Sequence, residues 1–205
     1  MTVPATTNDR GIWTVPNAIS VGRLLCVPVF LWLLWNADRP VAAAVLLAVL
    51  GATDWVDGWI ARHFDQASEV GKILDPTADR ILLLAAVVAL LAEGSVPVWV
   101  AIVVLARELV ISIAALALAA AGARKMEVQW SGKAGTLALM FALPLFLLGD
   151  ALDGDGAFRW LVFFAAWCFT IAGLAWSYWA AALYVPQARQ AVREGRAARH
   201  SGVAA

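Results

Sequence analysis

Two cysteines and two histidines are all that 205 residues supply, and that shortage excludes a good deal. Cys26 and Cys168 both sit in apolar runs. No Cys/His zinc cluster can be assembled at ordinary ligand spacing, and no disulfide framework is implied. Both cysteines read as small residues packed in lipid or core. Charge is also scarce. Only 15% of the residues are Asp, Glu, Lys or Arg, and the formal net charge is zero, so total charge names no partner and nothing calls for a nucleic acid. Two-residue alternation is missing too, which argues against a β architecture. A signal-peptide core is absent as well: the first twelve residues are polar and the first apolar stretch is too long. That stretch reads as a retained transmembrane helix.

What is present is apolar sequence in long runs. The chain is 62% hydrophobic, with mean hydropathy +0.78, a composition that indicates several membrane-spanning helices. Apolar segments lie near Val15–Trp35, Val41–Trp59, Pro76–Leu91, Val96–Ala121, Ala134–Leu148 and Trp160–Tyr184. The expected fold is an all-α integral membrane protein of six transmembrane helices, since about 20 apolar residues cross the hydrocarbon core. The third segment is short and is expected to extend backward through Asp79 and Asp75, its polar end facing protein or water. Polar breaks at 36–40, 93–97 and 149–156 separate the helices in pairs. The acidic stretch Asp150–Asp155 lacks the further ligands of a calcium loop and reads as a solvated external turn.

Basic residues divide unevenly between the two sides of that topology. The 36–40, 93–97 and 149–156 side carries only Arg39 and Arg159, against twelve Lys and Arg on the other side. This positive-inside bias puts both termini and the aspartate-rich loop in the cytoplasm of a bacterial-type plasma membrane. Several of the eleven tryptophans (Trp13, Trp35, Trp59, Trp99, Trp130, Trp160) fall near segment ends, as an interfacial belt does. The chain then divides into a cytoplasmic segment 1–14, a six-helix domain 15–185 and a basic cytoplasmic tail 186–205. The tail suits either solvent or anionic headgroups.

The chemistry concentrates at Asp54-Trp-Val-Asp57-Gly58-Trp-Ile-Ala61-Arg62, followed after eight residues by Gly71-Lys-Ile-Leu-Asp75-Pro-Thr-Ala-Asp79. An ionised carboxylate near a bilayer core costs about 2.5–3.5 kcal/mol, so these four together would cost about 10–14 kcal/mol without compensation. On a helix, Asp54, Asp57, Gly58 and Ala61 share one face, and Asp75 and Asp79 share a face of the next. A groove at the cytoplasmic boundary could thus hold four carboxylates. Oxygen-only ligands select magnesium or manganese, and four carboxylates can hold one or two ions. Gly58, Ala61 and Gly71 clear space for something to close on the backbone. Arg62 offers a permanently charged fork suited to phosphate.

The pattern D-x2-D-G-x2-A-R-x8-G-x3-D-x3-D resembles the signature of the CDP-alcohol phosphotransferase family at every position. The resemblance implies a six-helix enzyme, usually a homodimer, that moves a phosphatidyl-type group from a CDP-linked lipid such as CDP-diacylglycerol to an alcohol and releases CMP. It implies that Asp54, Asp57 and Asp75 bind metal, and that Asp79 either binds metal with them or acts as the base for the acceptor hydroxyl. Gly58, Ala61, Arg62 and Gly71 would line the donor site, with Asn17 added from the first helix. Pro16-Asn17-Ala-Ile-Ser20-Val-Gly-Arg23 and Trp130-Ser-Gly-Lys133 are similar to the branch that uses glycerol-based acceptors, with Arg23, Arg107 and Lys133 as acceptor-binding candidates. The uncharged fifth helix disfavours inositol phosphate. Glycerol-3-phosphate is the expected acceptor and phosphatidylglycerol the alternative, because Ile111–Ala121 offers only Ser112 where glycerol-3-phosphate users carry further charges.

Embedded carboxylates also suit a cation or proton transporter. That reading predicts ionisable groups spread through the depth of the bundle and repeated halves. The aspartates cluster at one boundary, and no internal repeat is visible. A scaffold would not need the four aspartates at all.

Overall fold

A computed structural model describes the backbone of residues 15–63, 71–120, 130–152, 154 and 156–200, and the side chains of 17–53, 74, 77–113, 134–152, 154 and 156–182. Six helices and no strand occur among the described residues. They are α1 (Val15–Trp35), α2 (Pro40–His63), α3 (Gly71–Glu93), α4 (Val98–Ala120), α5 (Trp130–Ala151) and α6 (Ala157–His200). The first five are 21 to 24 residues long. At about 1.5 Å per residue they match a hydrocarbon core of about 30 Å. Residues Met1–Ala89 and Leu90–Ala205 form two compact units.

Local chemistry sets the helix ends. The Trp32 carbonyl at the end of α1 accepts from the N–H groups of Asn36 and Ala37, and Leu33 accepts from Arg39, each at 3.0 Å. The chain then reverses through Asp38 at φ 51°, a left-handed conformation that Asp tolerates better than most residues. Pro40 opens α2, where its missing N–H has no helical partner to lose. At the end of α3, Gly94 adopts φ 81°. Its N–H reaches Leu91 O at 3.2 Å while that of Ser95 reaches Leu90 O at 3.0 Å, the paired bonds of a Schellman cap.

In the first unit α1 packs on α2, and Phe30, Ala43, Ala78, Leu82, Leu83, Ala86 and Val87 are buried. In the second, α6 packs on α5 and α4. The α5–α6 seam is close. A Cβ added at Gly135 would lie 2.3 Å from Ser177 Oγ, and one at Gly173 would lie 3.0 Å from the Gly135 carbonyl. Small residues of this kind let membrane helices approach backbone to backbone. Above the seam Phe146 meets Trp167 edge-on at 5.3 Å, and Trp167 stacks on Trp99 at 5.6 Å.

Large apolar side chains cover the outside. Leu25, Val29, Trp32, Val45, Val49, Leu84, Val88, Ile102, Leu109, Val110, Phe164, Ile171 and Trp179 are exposed, which water would not tolerate on this scale and lipid requires. Among the described residues Asn17–Trp35, Ala134–Ala151 and Ala157–Ala182 are long and apolar enough to cross a membrane. Pro40–Thr53 is a shorter apolar helix. Asp79–Arg80 and Arg107–Glu108 interrupt α3 and α4 from within. The chain is thus a helical membrane protein.

Two boundaries matter for the site. α3 begins at Gly71, so Asp75 and Asp79 do lie on its backward extension. α6 does not stop where the apolar sequence ends. It runs 44 residues to His200, about 66 Å of helix, so the basic tail continues the last helix through residue 200. Its Ala, Arg and Gln are strong helix formers.

Candidate active site

Helix α2 is continuous through Asp54, Asp57, Gly58, Ala61 and Arg62, so the spacing read from sequence places Asp54, Asp57, Gly58 and Ala61 along one stripe near its C-terminal end. Gly71, Asp75 and Asp79 follow one another by four residues in the opening turns of α3 and share a stripe there. The side chains of Asp54, Asp57, Ala61, Arg62 and Asp75, and the surroundings of Gly58 and Gly71, lie outside the described residues, as does the side chain of Lys133. Asp79 is the carboxylate of the pattern whose surroundings are described.

Asp79 Oδ1 accepts a hydrogen bond from Arg23 Nη1, an ion pair that links α1 to α3 across 56 positions of sequence. The two partners differ in exposure. The Arg23 side chain is 1% accessible, whereas the Asp79 side chain is 21% accessible. Arg23 ends a polar run on α1, Asn17, Ser20 and Arg23, all three buried and spaced by three. A buried guanidinium is costly unless a carboxylate compensates it, and Asp79 supplies that charge. Arg23, expected at the acceptor, thus stands on the candidate base. Asn17, expected at the donor, lies two helical steps before it on the same buried run.

The second unit has its own buried pair. Arg107 donates through Nη1 to Glu108 Oε1 and through Nη2 to Thr136 Oγ1 at 3.1 Å. The two charged residues are 6% and 5% exposed. Thr136 escaped sequence reasoning, since nothing in the pattern of α5 marks it as a partner of α4. At the far end of this unit, Ser95 Oγ donates to Asp150 Oδ2 at 2.7 Å. Arg159 Nε donates to the Gly149 carbonyl at 3.0 Å, with its guanidinium 5.5 Å from the Phe163 ring centroid. Asp150 and Arg159 therefore fasten the turn ends.

Residues 13–179 match the profile of a family described as CDP-alcohol phosphatidyltransferase. The chain belongs to that family. It is a phosphatidyltransferase of phospholipid synthesis, and the aspartate pattern lies inside the matched region. A Streptomyces coelicolor protein named cardiolipin synthase (CMP-forming) is 38% identical over 93% of this chain and 89% of its own length. Two proteins named CDP-diacylglycerol--glycerol-3-phosphate 3-phosphatidyltransferase are also similar. The one from Bacillus subtilis is 32% identical over 67% of this chain and 78% of its own length. That from Haemophilus influenzae is 34% identical over 64% of this chain and 74% of its own. The phosphatidyltransferase thus resembles proteins named for two different reactions.

Proposed function

We propose that this enzyme transfers the phosphatidyl group of CDP-diacylglycerol to phosphatidylglycerol, forming cardiolipin and CMP. The extent of likeness carries the choice. The similarity to the Streptomyces cardiolipin synthase spans 93% of the chain at 38% identity, against 67% at 32% for the Bacillus relative. Charge agrees with it. Of the three basic residues expected at the acceptor, Arg23 and Arg107 already have carboxylate partners, so part of their charge is offset before an anionic acceptor arrives. A phosphodiester headgroup presents one negative charge, whereas a phosphomonoester such as glycerol-3-phosphate presents about 1.5 to 2. Glycerol-3-phosphate is the second reading, favoured by the Bacillus and Haemophilus relatives and by the sequence-based expectation.

The donor set fits a hard divalent cation, because every candidate ligand is a carboxylate oxygen. Asp54, Asp57, Asp75 and Asp79 would hold magnesium or manganese, which supplies neutralisation of the pyrophosphate charge and acidification of the acceptor hydroxyl. Asp79 takes the proton from that hydroxyl. The acceptor oxygen then bonds to the phosphorus that carries diacylglycerol, and the bond from this phosphorus to the bridging oxygen breaks. CMP leaves with the electron pair. Arg62 offsets the charge that develops on the leaving phosphate, while Gly58, Ala61 and Gly71 let the cytidine end approach the helix backbone. We assign the enzyme to the plasma membrane as a homodimer with its site facing the cytoplasm.

The test is CMP release by the purified protein in detergent with CDP-diacylglycerol and magnesium or manganese. Release that depends on phosphatidylglycerol supports a cardiolipin synthase. Release that depends instead on glycerol-3-phosphate overturns the acceptor assignment and keeps the family chemistry.

A further inference from the structure

We infer that Arg23 is a positioning residue for Asp79: it acts through that carboxylate and not on the substrate's phosphate. The inference rests on the reading of Asp79 as a group of the reacting site. Three observations carry it. The guanidinium donates directly to Asp79 Oδ1. Within this pair the carboxylate is the accessible half and the guanidinium the enclosed one, at 21% and 1% exposure. Within this pair an anionic group arriving from outside therefore meets the carboxylate before the guanidinium. Finally, Arg23 shares α1 with the buried Asn17 and Ser20, so it is set by a buried polar run and not by a mobile surface segment.

The chemistry explains why such a residue is useful. Asp79 sits where three other carboxylates are expected, on Asp54, Asp57 and Asp75, and like charges push one another apart. A fixed cation behind Asp79 holds its side chain in one rotamer and offsets part of that repulsion before any substrate arrives. A carboxylate that must accept a proton or a metal from one direction gains from being anchored on the other side. Arginine suits the task because its charge is permanent and its fork is planar.

The experiment compares Arg23→Met, Arg23→Lys, Asp79→Asn and the Arg23→Met/Asp79→Asn double variant. CMP release is measured against phosphatidylglycerol and against glycerol-3-phosphate, and thermal midpoints are taken in detergent without substrate. Loss of a residue that supports a reacting group typically costs about 10–100-fold. Arg23→Met should lower kcat by that factor and leave the acceptor KM unchanged. Arg23→Lys should recover part of kcat, and it remains informative if Arg23→Met does not fold. In the Asp79→Asn background, Arg23→Met should add no further loss of rate, and the two midpoint shifts should be non-additive. A raised acceptor KM with kcat retained would overturn the inference and return Arg23 to the acceptor's phosphate. Unchanged kinetics in both Arg23 variants would overturn it as well. Full activity in Asp79→Asn would overturn the prior reading of Asp79, an outcome distinct from failure of Arg23 alone.

Discussion

Among the described residues two arginines lie buried, and they meet their carboxylates in opposite ways. Arg107 pairs with Glu108, its immediate neighbour in sequence, and adds Thr136 from α5. Arg23 pairs with Asp79, 56 residues away on another helix. Adjacent helix positions point away from each other, so the first pair closes because the arginine side chain is long enough to turn back. The side chains of both its members are almost wholly enclosed, at 5% and 7% exposure. The second pair is enclosed on one side only, since its carboxylate is the accessible partner. Burial of the arginine is therefore common to both pairs, and the exposure of the carboxylate is what differs between them. On the proposed function, the outward-facing carboxylate is the one that reacts.

The sharpest way to break this contrast is to neutralise each carboxylate without changing its shape. Asp79→Asn should cut CMP release by about 10²–10⁴-fold, the usual contribution of a positioned base. Glu108→Gln should leave the turnover of the folded enzyme close to wild type. Equal losses in both would erase the distinction. The second effect concerns stability. Arg107→Leu leaves Glu108 buried without its charge partner, a change that typically costs about 3–5 kcal/mol and should lower the thermal midpoint in detergent. Adding Glu108→Met should recover most of that loss while CMP release persists. A double variant that is stable yet shows a raised acceptor KM would return Arg107 to the acceptor.

Smaller effects sharpen the picture around the second unit. Gly135→Val should force α5 from α6 at Ser177, at a cost of about 1–3 kcal/mol as in other overpacked cores. Calorimetry or a thermal-shift assay would read it, with the acceptor KM unchanged. Smallest of all, Ser95→Ala removes one hydrogen bond to Asp150 and should cost about 0.5–1.5 kcal/mol with no kinetic signature.

The sequence made the helices legible because a membrane helix needs little more than length and apolarity. The bounds expected for α1, Val15–Trp35, are those of the structure. The caps at Asp38 and Gly94 fall in the expected breaks. The backward reach of α3 through Asp75 and Asp79 was readable because charged residues at helical spacing had no other element to occupy. The end of α6 was not readable from hydropathy, since the composition turns basic at 186 while the backbone remains helical to His200. Helix formation there depends on backbone propensity and not on the apolar content that marked the span. At the site, the aspartate pattern was legible because its spacing repeats the helical period. The Arg23–Asp79 and Arg107–Thr136 contacts were not, because pairing across 56 and 29 residues is fixed by how helices pack and leaves no local signal in the chain.

The most direct test of the central claim is CMP release from CDP-diacylglycerol and phosphatidylglycerol by wild type and Asp79→Asn, each with magnesium present and after chelation. The account predicts metal-dependent release in the wild type, its loss on chelation with recovery on adding the metal back, and little release from Asp79→Asn in either condition. Release that ignores both the metal and the Asp79 substitution would contradict it.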